Sequence, residues 1–125
     1  MINVRAKGRA GEQEVAHILR EELGIEVTRN WAEQSAQGGV DLLGVDGWAI
    51  EVKRGRAYRN EWMAQAKRQA EKTGGKPVLI YRLDRRQWMV ELVAKDVIPG
   101  LVHEPFTVTM PIGAWITVVR EKMHE

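Results

Sequence analysis

Residues 39 to 53 read Gly39-Val40-Asp41-Leu42-Leu43-Gly44-Val45-Asp46-Gly47-Trp48-Ala49-Ile50-Glu51-Val52-Lys53. This stretch predicts a β-hairpin with one acid on its first strand and a Glu-x-Lys triplet on its second. Alternate residues of a strand share a face, so Glu51 and Lys53 project together. Two carboxylates can bind a hard divalent cation, and the amine places a positive charge beside it. This combination is typical of enzymes that hydrolyse phosphodiesters with the help of a metal ion. The plainer alternative is a half-buried ribbon whose charges are solvated.

The length of the hairpin loop decides whether the two acids meet. A two-residue turn, Asp46-Gly47, would pair Leu42 with Glu51 and leave Asp41 facing away. A three-residue loop, Val45-Asp46-Gly47, pairs Asp41 with Glu51 and puts its glycine where a type I turn with a G1 bulge needs a left-handed residue. Directly opposed residues have Cβ atoms roughly 4.5–5.5 Å apart, so both carboxylates would reach one ion. We therefore predict the longer loop, which also gives one buried face made of Val40, Leu42, Ile50 and Val52.

Composition sets the class of protein. The chain has 125 residues, 44% of them hydrophobic and 29% charged, which predicts one globular domain, residues 1–125. It has no cysteine, which excludes disulfides and thiolate metal sites and fits a reducing cytosol. No apolar run approaches the roughly 20 residues that span a bilayer, and the N-terminal segment lacks the apolar core of a signal peptide. We therefore expect a cytoplasmic protein without a membrane partner.

The net charge of +2 conceals a strong asymmetry. Residues 21–52 hold one Arg against seven acids, whereas residues 53–86 hold eleven Lys and Arg against three acids, a net +8. This basic block begins at the predicted metal site, which suits a polyanionic ligand with phosphate as the leading candidate. A solvated basic helix and turn is the alternative interpretation.

The N-terminal segment predicts a helix from about Arg9 to Leu23, with Gly24 as its stop. Its apolar stripe consists of Val15, Ile18, Leu19 and Leu23. Glu12 falls on the side of that stripe, whereas Glu14 falls on the opposite side and is expected to face water. An inward carboxylate needs a partner or an ion, although a glutamate near a helix start can simply favour the positive end of the helix dipole.

The rest of the pattern predicts, in order, a short strand over 26–31, a polar loop over 32–39, the hairpin, a helix with Asn60 as N-cap that ends before Gly74-Gly75, strands over 77–83 and 87–93 around a turn at 84–86, a strand over 106–110 and a helix over 111–123. This order predicts an α/β fold in which a mixed β-sheet is flanked by α-helices.

The set of Lys7-Gly8-Arg9-Ala10-Gly11-Glu12, then Asp41, then Glu51-Val52-Lys53-Arg54 resembles the PD-(D/E)xK nuclease superfamily. Within it the chain is most similar to archaeal-type Holliday junction resolvases, including versions carried by phages, over roughly residues 5–83. The resemblance implies a restriction-endonuclease-like fold and a homodimeric, metal-dependent DNA endonuclease that resolves four-way junctions by paired cuts. One departure is Val40, which stands where the family has a proline that has no chemical duty.

The resemblance also implies roles for individual residues. Asp41 and Glu51 would bind Mg²⁺ or Mn²⁺ with the backbone carbonyl of Val52. Glu12 would reach the same site directly or through water. Lys53 would orient the attacking water or stabilise the pentacovalent phosphate.

Contacts to DNA are predicted on both sides of that site. Ser35, in the loop before the strand acid, loosely matches a serine that contacts the scissile phosphate in these resolvases. The candidates for backbone contacts are Lys7, Arg9, Arg54, Arg56 and Arg59. Nothing in the sequence predicts an element that reads base edges, so we expect recognition of DNA shape. A two-fold homodimer would supply two matched cuts. Its interface could include Trp88, Met89 and Trp115, or these residues could belong to the hydrophobic core.

Three other functions compete with junction resolution. The chain could be another endonuclease or nickase of the superfamily, of phage or restriction type, that acts on flaps, forks or duplex. It could be an RNA-directed nuclease. It could be a non-catalytic DNA-binding protein that kept the fold, although the intact set of Glu12, Asp41, Glu51 and Lys53 argues against this last function.

Overall fold

The computed structural model describes residues 4–30, 39–102 and 106–124, with side chains from residue 7 onward. Within these residues the elements are α1 (Val4–Leu23), β1 (Thr28–Arg29), β2 (Leu42–Leu43), β3 (Trp48–Gly55), α2 (Asn60–Thr73), β4 (Lys76–Leu83), β5 (Met89–Val93), β6 (Thr107–Pro111) and α3 (Ile112–Met123), with a single 3₁₀ turn at Ala94–Asp96. In this part of the chain, no helix combines the length and the apolar character needed to cross a bilayer.

The six strands form one mixed sheet in the order β1-β2-β3-β4-β5-β6. The pair β3–β4 is parallel and the other four pairs are antiparallel. A parallel connection requires a crossover, and here α2 supplies it. The predicted α/β fold, a mixed β-sheet flanked by helices, is confirmed.

Helices cover both faces of this sheet. On one face α1 and α3 bury the main core, in which Trp115 is fully buried and meets Trp48 edge-on with ring centroids 5.7 Å apart. On the other face α2 packs Trp62 and Met63 against Leu79 of β4. Burying such side chains contributes roughly 1.5–3 kcal/mol each, so the two layers hold the central strand β3 from both sides.

The predicted three-residue hairpin loop is confirmed. Leu42 pairs with Ile50, the register that the longer loop requires. The Trp48 N–H donates to the Val45 carbonyl at 3.2 Å, and Gly47 has a φ of 86°. That positive φ is the left-handed conformation that a G1 bulge requires, so the glycine fixes the loop length and, through it, the register.

One detail of the hairpin differs from prediction. Val40 is buried, but it packs with Ala49 and Ala70 under α2 rather than with Leu42 in the main core. The ladder breaks at Asp41, whose N–H donates to the Ile50 carbonyl at 2.8 Å. The resulting bend ends the regular strand and turns the preceding residue to the other face.

Several predicted boundaries shift. The first helix begins at Val4, five residues earlier than predicted, because Arg, Ala and Lys extend a helix readily. Arg59 rather than Asn60 is the N-cap of α2, and it makes no side-chain cap bond. The predicted strand over 26–31 is reduced to Thr28–Arg29; its last residue and most of the predicted polar loop lie outside the described residues. The other predicted ends shift by one or two residues, which is the usual uncertainty at element ends.

Two predictions about side chains are decided by packing. Glu14 does not simply face water, because its Oε1 accepts hydrogen bonds from Trp88 Nε1 at 2.9 Å and from Arg82 Nη1 at 3.1 Å. Trp88 and Trp115 are buried and Met89 is partly buried, so the two tryptophans are core.

Candidate active site

The hairpin brings the two predicted acids together. Asp41 lies at the bend before β2 and accepts the Val52 N–H at 2.8 Å through Oδ2. Glu51 is buried in β3, and its carboxyl group lies within hydrogen-bonding reach of the Asp41 carboxyl. The Val52 N–H would otherwise be available for a hydrogen bond to a neighbouring strand. Here it fixes the orientation of the Asp41 side chain instead.

Burial raises the pKa of both acids, and the negative charge of Asp41 raises the pKa of Glu51 further. Burial is the largest cause for each and raises the pKa of Asp41 to about 6 and that of Glu51 to about 8. The negative charge of Glu12 raises the pKa of both acids further, whereas the Val52 N–H and the Lys53 ammonium lower that of Asp41. Near neutral pH the metal-free pair therefore holds a proton in place of a second negative charge.

The two oxygens of Glu51 differ in their surroundings. Oε1 accepts a hydrogen bond from Gln65 Nε2 at 3.0 Å and lies 3.7 Å from Lys53 Nζ. Oε2 is buried and has no donor among the described residues. A buried acceptor without a donor costs about 1–3 kcal/mol, and here a proton shared with Asp41 or a bound cation would satisfy it.

This donor set fits a divalent cation. Mg²⁺ takes one or two carboxylates and keeps several waters. Asp41 and Glu51 supply the carboxylates, and the unsatisfied oxygen of Glu51 is available as a ligand. The absence of cysteine and the oxygen ligands favour Mg²⁺ or Mn²⁺ over softer metals.

Glu12 faces inward as expected, but it is held at a distance from the pair. Its Oε1 accepts a hydrogen bond from Arg29 Nε at 2.8 Å, and 13% of the Glu12 and 6% of the Arg29 side chain is exposed. Across residues 4–30, 39–102 and 106–124, no three His, Asp or Glu side chains converge closely enough to hold one ion. In this arrangement the negative charge of Glu12 reaches the pair and raises both pKa values, while its carboxylate is paired with Arg29.

The predicted DNA-contact residues lie in different settings. Arg9, Arg56 and Arg59 are exposed, the latter two in the loop between β3 and α2. Lys7 Nζ makes an ion pair with Asp84 at 3.2 Å. Arg54 is half-buried. Ser35 lies outside the described residues.

Two residues that contact the site were not predicted. Gln65 lies three residues after Trp62, on the inner side of α2, and a polar residue on an apolar stripe signals a buried partner. Arg29 is the one basic residue in the acidic block 21–52, which suggests a paired charge. Neither signal identifies the partner, because both pairings join elements that are distant in sequence.

Comparisons with known proteins agree with this geometry. The fold is similar to that of Archaeoglobus fulgidus Hjc, a Holliday junction resolvase from an archaeal hyperthermophile, with a TM-score of 0.58 and 18% identity over 89% of this chain and 96% of that one. Protein D14 of Escherichia phage T5 is 29% identical over 118 residues, covering 76% of this chain and 74% of that protein. A family model described as phage putative PDDEXK endonuclease matches residues 3–121. By that match over almost its whole length, the chain belongs to the phage putative PDDEXK endonuclease family and is a nuclease.

Proposed function

We propose that this nuclease resolves four-way DNA junctions by Mg²⁺- or Mn²⁺-dependent hydrolysis of paired phosphodiester bonds. The observation that carries the metal-dependent chemistry is the buried Asp41–Glu51 pair, with one unsatisfied carboxylate oxygen and the Lys53 ammonium beside it. Support for the junction as substrate comes from the fold, which is similar to that of a Holliday junction resolvase. The relative from a phage supports a location inside an infected bacterial cell.

In the proposed mechanism each residue has a separate task. Asp41, Glu51 and the backbone carbonyl of Val52 would hold the metal, which would neutralise charge on the phosphate and lower the pKa of a water. Lys53 orients the attacking water or stabilises the pentacovalent phosphate. Gln65 fixes the Glu51 carboxylate so that its free oxygen points to the ligand position.

Glu12 has a supporting task in this proposal. Arg29 holds its carboxylate, and contact with the metal through a water would be one of the two arrangements that the resemblance implies. Its negative charge raises the pKa of both acids and so favours positive charge in the site, whether a proton or a divalent cation.

The basic residues around the site are proposed to bind the DNA backbone. Each phosphate that Lys7, Arg9, Arg54, Arg56 or Arg59 neutralises steepens the salt dependence of binding by about 0.9 in the log–log slope. Ser35 is proposed to contact the scissile phosphate. Two matched cuts require two copies of the site, which a two-fold homodimer supplies.

A cleavage panel tests the proposed substrate. The native protein is incubated with a four-way junction, a fork, a flap, a linear duplex and an RNA junction, with Mg²⁺ and with EDTA. We expect symmetric paired nicks near the branch only with Mg²⁺, and little cutting of duplex. Preferred cutting of forks, flaps or duplex would assign another endonuclease activity of the family, and preferred cutting of the RNA junction would assign an RNA-directed nuclease.

Substitution of Asp41 tests the metal site. We expect Asp41→Asn to abolish junction cleavage and to leave DNA binding intact or tighter, because an amide keeps the bond to Val52 while a charge facing the phosphate is lost. Cleavage and fluorescence anisotropy with the same junction separate the two effects. Cleavage at the native rate under saturating Mg²⁺ would overturn the assignment of Asp41 as a ligand.

A further inference from the structure

The turn between β4 and β5, residues 84–86, contains an arginine in an unfavourable backbone conformation. Arg85 has a φ of 63° and is the one non-glycine residue with a positive φ within residues 4–30, 39–102 and 106–124. The left-handed region costs an L-residue roughly 1–2 kcal/mol, and glycine or asparagine usually occupies such positions. The backbone conformation disfavours arginine at this position, which suggests that the side chain itself has a function.

The turn follows β4 and lies beside the C-terminal end of β3, the strand that carries Glu51 and Lys53. Strands β3 and β4 are parallel, Gly55 is aligned with Leu83, and the Asp84 N–H donates to the Gly55 carbonyl at 3.1 Å. Gly55 follows Lys53 by two residues, which is about 7 Å along a strand. The turn is therefore within a few nucleotides of a phosphate bound at the active site, at about 3.4 Å of helix axis per nucleotide of one strand.

Two other charged residues brace the turn. Asp84 is paired with Lys7 of α1 at 3.2 Å. Arg82 donates from Nε to the Arg86 carbonyl at 2.9 Å and from Nη1 to Glu14 at 3.1 Å. Each end of the turn is thus tied to another part of the fold, so the turn is pre-organised.

The remaining charges of the turn point outward without partners. Arg85 and Arg86 are exposed, and no acid in the described part of the chain makes an ion pair with either side chain. Two unpaired guanidinium groups on a braced turn make this edge of the sheet positively charged, and guanidinium matches the geometry of a phosphate with two parallel hydrogen bonds.

Arg54 extends the same edge. It is aligned with Arg82 on the neighbouring strand. The aliphatic part of its side chain packs against α1 at Gly11, and a Cβ added to that glycine would lie 3.0 Å from Arg54 Cδ. The Nε atom of Arg54 is buried and has no hydrogen-bond partner. A long basic side chain held in this way is already oriented when the ligand arrives.

We propose that the β4–β5 turn is a DNA-backbone contact, in which Arg85 and Arg86 bind phosphates of the duplex arm that leaves the active site. The inference rests on the proposed function, since it assumes a DNA substrate at the adjacent acids. The contact carries no sequence information and fixes the orientation of the arm.

The test uses Arg85→Gly in the Asp41→Asn background, so that the junction is bound and not cut. Glycine relieves the left-handed backbone, so we expect a higher melting temperature. Loss of the charge removes one phosphate contact, so we expect binding five- to tenfold weaker at 0.1 M salt, with the log–log salt slope smaller by about 0.9. A gain in stability with a loss of affinity separates a ligand contact from damage to the fold.

Two matched variants complete the experiment. Arg85→Lys keeps the charge and should retain most of the affinity and the slope. Lys95→Gln removes an exposed charge in the 3₁₀ turn beyond the far end of β5 and should leave both unchanged. Unchanged affinity and slope in Arg85→Gly, or an equal loss in Lys95→Gln, overturns the inference.

The outcomes also separate this inference from the proposed function. If the native protein cuts the junction and Arg85→Gly binds it normally, only the turn contact is wrong. If the native protein neither binds nor cuts any DNA substrate, the proposed function is wrong and the turn contact is wrong with it.

Discussion

Among single residues, Glu51 is the proposed metal ligand whose surroundings the fold defines most fully. One of its oxygens is held by Gln65 at 3.0 Å and faces Lys53 at 3.7 Å, while the other is buried without a donor. An uncharged donor orients the carboxylate without competing for its charge, as partners of metal ligands commonly do.

Removing that donor should weaken metal binding more than catalysis. We expect Gln65→Ala to raise the Mg²⁺ concentration for half-maximal cleavage about 10- to 100-fold, the usual cost of losing such a partner, with a much smaller change at saturating Mg²⁺. Gln69→Ala is the control, because Gln69 is buried one turn further along α2 and makes no hydrogen bond to Glu51. Equal Mg²⁺ requirements for native protein and Gln65→Ala would contradict the role of Gln65.

At the scale of elements, two glycines of the hairpin set the geometry of the site for different reasons. Gly47 has a positive φ in the loop, but an added Cβ would meet nothing within 4 Å. Gly44 has a φ of 119°, and an added Cβ would lie 2.1 Å from the Glu26 carbonyl oxygen. The first glycine is needed for its conformation alone, and the second is also needed because the backbone before β1 passes directly over it.

Alanine substitutions should separate these two requirements. We expect Gly47→Ala to lower the free energy of unfolding by about 1–2 kcal/mol, the cost of a left-handed alanine. Gly44→Ala should cost about 4 kcal/mol or more, in the exceptional range for one substitution, because the clash is with backbone. Urea unfolding of both variants provides the measurement, and equal losses would show that the close approach of the Glu26 carbonyl is not maintained.

For the molecule as a whole, the acid pair links stability to pH. The pKa values of Asp41 and Glu51 are raised from ordinary values of 3.8 and 4.5 to about 6 and about 8. Between the ordinary and the raised values the folded protein binds more protons than the unfolded chain, so stability falls as pH rises. The protonated pair makes its full contribution to the free energy of unfolding below about pH 4. That contribution is lost by about pH 8 to 9.

A divalent metal should reverse that loss. In EDTA we expect the melting temperature to fall from pH 5 to pH 8 more steeply for native protein than for Asp41→Asn, in which the pair no longer repels. Adding Mn²⁺ should raise the melting temperature strongly at pH 8 and little at pH 5, because protons compete with the metal for the same oxygens. Identical pH profiles for the two proteins would show that the pair is not the titrating unit.

The order of the elements and the register of the hairpin can be read from the sequence alone. Both follow from local physics, because apolar periodicity assigns faces and Gly47 fixes the loop. The same local pattern identified Asp41, Glu51 and Lys53 as neighbours, since residues opposed or alternate on paired strands must be close. These features depend on contacts only a few residues apart along the chain.

The partners of Glu12, Glu14 and Glu51, in contrast, depend on how distant elements pack together. Arg29, Arg82 and Gln65 reach these acids from elements that are 14 to 68 residues away in sequence. Side-chain pairing across a fold depends on how helices are rotated and docked on the sheet, which periodicity assigns only to a face. The turn at 84–86 could be predicted as a turn, whereas its attachment to the active-site strand depends on the parallel pairing of β3 and β4, which brings Asp84 to Gly55.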